Sequence, residues 1–118
     1  RVAMKFERDG MMWDTDKAKL LETFSTGPRT SSYIDMAFTK TTTTIEKTHK
    51  VYKTKNGRFF MVSVELNNDI TSEDVFFFRP ISCGITDTRM RTFDNEDHMN
   101  QIVEAMGFRM SNTPLPEA

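Results

Sequence analysis

The sequence predicts an α+β fold: a small, twisted antiparallel sheet of about four to six strands, covered by one C-terminal helix. Three observations carry this expectation. Asn56-Gly57 lies between two β-favouring runs, a strong hairpin signal because both residues tolerate positive φ. The run before it is rich in branched threonines, Thr39, Thr41 to Thr44 and Thr48, which favour extended backbone. Only residues 95–106 combine helical apolar spacing with helix start and stop residues.

Taken in order, residues 4–13 read as a short strand and turn. Met4 and Phe6 alternate with Lys5 and Glu7, Arg8-Asp9-Gly10 turns the chain, and Met11-Met12-Trp13 resumes an apolar run. Asp14 is placed to accept a backbone N–H two or three residues on and so to start a helical turn. Leu20, Leu21 and Phe24 then continue as a short helix near 15–24 or equally as a strand, because the run is too short for periodicity to decide. Gly27-Pro28 ends that element.

The threonine-rich stretch of residues 38–50 leads as a strand into a central hairpin at 45–66. Two registers compete there. A two-residue loop pairs Lys53 with Phe60; a three-residue loop, Lys55-Asn56-Gly57 with a left-handed Gly57 in a bulge, pairs Tyr52 with Phe60 and Lys50 with Val62. The bulged loop is preferred, since it lines Tyr52, Phe60, Val62, Val64 and Leu66 along one face, and a one-residue slip would exchange the faces. That face is expected to lie under the helix, each buried side chain contributing roughly 1.5–3 kcal/mol before entropy is subtracted.

Asn67-Asn68-Asp69 reads as a loop, Val75–Phe78 as a short apolar strand halted by Pro80, and Ile85–Phe93 as a further strand. The helix, Asn95–Met106, takes Asp94 as its N-cap and Asp97 as a first-turn acid suited to the positive end of the helix. Met99, Ile102, Val103 and Met106 share one face, and Gly107 is placed as a left-handed C′ residue with Phe108 packing back on Val103. The reading is one domain over 4–110, with a flexible tail at 111–118.

Composition narrows the function classes. With 37% hydrophobic and 28% charged residues the chain is an ordinary soluble globular domain. No run approaches the roughly 18 apolar residues of a membrane span, so no membrane partner is expected. Met4-Lys5 reads as a natural start with no signal peptide, and the lone Cys83 suits a reducing cytoplasm. The formal net charge of -1 gives no bulk attraction to nucleic acid. The charge is nonetheless uneven. Lys40–Arg58 carries six cations against Glu46, for +5, and Asp94 to the end carries five acids against Arg109, for -4. These stretches either attract each other or are solvated, or the basic one faces an acidic partner.

No catalytic cluster emerges. An enzyme would need Cys83, His49, His98 and an acid to converge through the fold, and the donors Asp14, Asp16, His49, Cys83 and His98 show no metal-ligand spacing. No cofactor is implied, because the five glycines are scattered as turn residues. Gly57-Arg58-Phe59-Phe60-Met61-Val62 is superficially like the aromatic strand of RNA-recognition domains, but the small residue expected between two aromatics is absent. The candidate partner-binding residues are therefore Lys47, Lys50, Lys53, Lys55, Arg58 and Phe59 on the basic hairpin.

Met4-Lys5, Gly10 and Trp13-Asp14-Thr15-Asp16-x-Ala18, followed by Val51-Tyr52-Lys53-Thr54-x-x-Gly57-Arg58-Phe59-Phe60 and an acidic Asn95-Glu96-Asp97, resemble a family of small uncharacterised proteins of bacteria, phages and mobile elements. That family shows the pattern "MK…G…YDTETA" and then "LYRTxxGRWF". Trp13 departs from its usual tyrosine. The resemblance implies a small α+β domain and a bacterial or phage-infected cell, and it supplies no catalytic residues. The expected function is thus a non-enzymatic interaction protein, a regulator or anti-defence inhibitor whose partner is a protein such as a host defence component. The alternatives are a nucleic-acid-binding module using residues 47–58 and a small enzyme. A homodimer stays open.

Overall fold

Alternating side chains and well-placed turn residues carry most of this chain into strands, and the computed structural model describes residues 4–74, 77–111 and 117, the backbone alone over 68–74 and 77–86. Among the described residues seven strands precede one helix: β1 Lys5–Arg8, β2 Met11–Asp14, β3 Lys19–Ser25, β4 Arg29–Ile34, β5 Lys40–Lys53, β6 Phe59–Asp74, β7 Phe77–Phe93 and α1 Glu96–Ala105. β1 and β2 form a two-stranded antiparallel ribbon. The other five form one sheet in the order β3-β5-β6-β7, with β4 also on β5. The antiparallel sheet and the C-terminal helix are as expected, but seven strands exceed the expected four to six. The chain divides into two compact units. One gathers the stretches up to Phe24, His49–Val62 and from Met90 onward; the other holds Ser25–Thr48 and Ser63–Arg89.

In the first unit the hairpin takes the bulged register. Thr54 N–H donates to Arg58 O (2.8 Å), Gly57 N–H donates to Thr54 O (3.0 Å), and Gly57 has φ 80°. The Tyr52 and Phe60 rings, opposite each other in this register, stack at 5.1 Å. The helix, however, does not lie on their face. Met99 and Val103 of α1 pack with Val51, Phe59 and Met61, together with Phe93 and Met110. The Tyr52–Phe60 face is covered by the β1–β2 ribbon instead, with Trp13 edge-on to Phe60 at 5.5 Å. The hairpin is buried on both faces, which is why alternation alone could not say which face takes the helix. Along the expected apolar row, Val64 is only half-buried and Leu66 is exposed.

The helix is capped one residue later than expected. Asn95, not Asp94, is extended and accepts from His98 N–H (2.8 Å). His98 Nδ1 in turn accepts the Asp94 N–H (3.0 Å) and lies 3.6 Å from the Asp94 carboxylate. At the other end Gly107 N–H donates to Glu104 O and Phe108 N–H to Val103 O, with Gly107 at φ 87°, a Schellman motif. Phe108 then stacks on Phe24 at 4.9 Å.

Two local expectations are corrected, and one left open is decided. Near 15–24 the strand alternative holds and no helix forms. Asp14 Oδ1 accepts from Asp16 N–H (2.9 Å) and Ala18 N–H reaches Asp14 O (3.1 Å), but this is one turn, after which Lys19–Ser25 runs as β3 beside β5. Tertiary pairing overrides the weak local helix signal. Asn67–Asp69 is not a loop but part of β6. Of the expected strand Val75–Phe78, Val75 and Phe76 lie outside the described residues. From Phe77 a single strand runs through Pro80 and takes in Ile85–Phe93. β7 ends the sheet order, and an edge strand tolerates proline because one side of its backbone has no ladder to feed. The expected tail at 111–118 falls almost entirely outside the described residues.

In the second unit a strand appears that the sequence reading did not anticipate. β4 pairs antiparallel with β5, from Arg29 opposite Ile45 to Ile34 opposite Lys40. Thr26 N–H donates to Lys47 O (3.0 Å), so three steps from Thr26 to Arg29 match two from Lys47 to Ile45. The extra residue is a bulge at Gly27 (φ 73°), which joins β3 and β4 along β5. The β4–β5 tip is tightly tied. Asp35 Oδ1 accepts from Ala37 and Thr39 N–H, both at 2.9 Å, and Phe38 adopts φ 61°.

Candidate protein-binding cleft

The cationic residues proposed from sequence do not form one surface. Strand alternation puts Lys50 on the Tyr52 face and Lys53 on the Val51 face. Lys53 lies 5.5 Å over the Phe59 ring. Phe59 itself is only 7% exposed and belongs to the core under α1, so its ring offers no face to a base or to a partner. Lys47 belongs to the second unit, where its ammonium is 3.7 Å from Glu65. Lys55 and Arg58 remain, exposed at the β5–β6 turn.

Those two flank a cleft built largely by the N-terminal ribbon. Asp9 and Gly10 both take positive φ (55° and 71°), a two-residue turn that sets Arg8 opposite Met11 and Phe6 opposite Trp13. The ribbon is tied down at several points. Arg8 Nη1 donates to Met90 O (2.9 Å), Trp13 Nε1 donates to Arg8 O (3.0 Å), and Thr15 exchanges hydrogen bonds with the Met4 backbone through its N–H and Oγ1, each 3.0 Å. Trp13 faces Phe60, so Met12, its neighbour in an alternating strand, is turned outward and is 63% exposed.

Met12 stands at the junction of two adjoining hollows. One, of about 300 Å³, is lined by Lys5, Met12, Asp14, Lys17, Ala18 and the turn residues Thr54 to Asn56. The other, of about 220 Å³, shares Met12, Thr54 and Asn56 and adds Trp13 and Arg58. The larger hollow holds Lys5, Lys17 and Lys55 against one carboxylate, Asp14, a local charge of +2. Asp14 is buried and its Oδ1 is used by the Asp16 N–H. The chemistry on offer is an adaptable thioether with cations around it and Thr54 and Asn56 as polar side chains.

Lys5, Met12 and Lys17 were not among the residues proposed from sequence. Their only signal was the Asp9-Gly10 turn, which places Met12 on the outward side of a ribbon whose other face carries Trp13. Of the residues named for an enzyme, His49 is buried with its ring 5.8 Å from Phe108, and His98 sits edge-on to Phe93 at 5.8 Å. Among the described residues no three His, Cys, Asp or Glu come together as a metal site, and no helix is long and apolar enough to cross a membrane. The chain matches no protein-family model, no curated protein and no solved structure.

Proposed function

We propose that this protein works by contact with another protein, and that it grips an acidic segment of that partner in the cleft around Met12. The observation that carries this reading is the outward-turned Met12 flanked by Lys5, Lys17 and Lys55 on one side and Arg58 on the other. A thioether with an unbranched stem adapts to varied apolar side chains, while the lysines attract carboxylates and lose that attraction in salt. The resemblance of two motif stretches to proteins of bacteria and phages supports a partner from that setting, a host defence component or the product of a neighbouring gene.

The test is a side-by-side pulldown from bacterial lysate with the native protein and a Lys5→Glu/Lys17→Glu/Lys55→Glu variant, at low and at physiological salt. All three side chains are exposed, so the variant is expected to fold. A protein retained by the native chain, released by salt and lost from the variant supports the reading. Equal retention by both, or retention by neither, overturns it.

A further inference from the structure

The outer edge of β4 is unprotected among the described residues. All six of its residues, Arg29–Ile34, are exposed, and among the described residues β4 pairs with β5 alone. Natural edge strands are usually blunted by charge, proline or a covering element. Thr30-Ser31-Ser32-Tyr33-Ile34 has none of these within it. The turn that follows adds exposed Met36 and Phe38 and is held rigid by Asp35, so this apolar surface is displayed by an ordered hairpin.

The strand is also self-complementary. Arg29 and Asp35 stand three residues either side of Ser32. In an antiparallel pairing of two copies centred on Ser32, Arg29 of each faces Asp35 of the other, so the charge pair forms twice. Thr30 then faces Ile34, Ser31 faces Tyr33, and the tip with Met36 is carried toward Pro28 of the second copy. Directly opposite side chains on paired strands come within about 4.5–5.5 Å at Cβ, close enough for guanidinium and carboxylate to meet. A slip of one residue either way loses both charge pairs.

We infer that the protein self-associates as a two-fold dimer through antiparallel pairing of β4 with β4 of a second copy, centred on Ser32. The symmetry makes the interface isologous, so one patch serves both partners. The inference does not rest on the cleft around Met12, which belongs to the other unit.

The test exploits the axis. Ser32→Lys and Ser32→Glu each place like charges against each other across the two-fold, whereas a mixture of the two places opposite charges there. Sedimentation equilibrium of the native chain, each variant and the equimolar mixture, with circular dichroism to verify folding, reads the result. The expected outcome is a native dimer, about tenfold weaker association for either variant alone, and recovery in the mixture as a heterodimer. A native chain that stays monomeric up to about 1 mM, the weak end of specific association, overturns the inference. So do single variants that dimerise like the native chain, or a mixture that shows no recovery.

Discussion

β5 passes through two unlike environments, and the contrast explains most of the molecule. Around Val51 and Tyr52 it is buried on both faces, under α1 on one and under Trp13 and the ribbon on the other. Around Thr41 to Ile45 it is half-buried, and its neighbour β4 is exposed throughout. Apolar content does not separate the two regions. Tyr33, Ile34, Met36 and Phe38 are as large and greasy as the side chains of the buried hairpin. What differs is cover. A capped helix and a tightly turned ribbon shield one region, and among the described residues no strand pairs with the outer side of β4.

The same substitution made in both regions is the sharpest way to break this comparison. Phe60→Ala removes a ring that is 0% exposed and in contact with both Trp13 and Tyr52, and is expected to cost about 3–5 kcal/mol in chemical denaturation. Met99→Ala empties the helix side of the core and should cost about 2–5 kcal/mol by the same measurement. If Met99→Ala were neutral while Phe60→Ala was not, two-sided burial of the hairpin would be wrong. Asn95→Ala removes the cap of α1 and should lower stability by about 1 kcal/mol, read as a shift of the thermal midpoint. Smallest is Phe38→Ala at the β4–β5 tip, where an 83% exposed ring should change the stability of the monomer by no more than about 0.5 kcal/mol. A cost near that of Phe60→Ala would mean that the tip is packed rather than displayed.

The candidate site divides along the same line. Lys55 and Arg58 were readable because a turn between strands leaves its side chains in water whatever the packing. Phe59 is buried because α1 packs on its face, whereas the sequence pattern set the helix on the Tyr52–Phe60 face and left the Phe59 face open. Lys5 and Lys17 join Lys55 only through contacts across the fold, which no local pattern records.

By itself the sequence determined the elements whose causes are local. Asn56-Gly57 bends the chain because both residues accept the bulged turn, and Gly107 ends α1 because a left-handed residue is needed there. The apolar face of Met99 and Val103 follows from their spacing. Only the tertiary structure decided which side of the hairpin the helix covers, because both sides are apolar enough to be buried and alternation is symmetric between them. It also decided that Lys19–Ser25 is a strand, since seven residues of ambiguous pattern take the form of whatever they pair with. And it left β4 at an edge, where burial depends on which elements reach it rather than on the residues it contains.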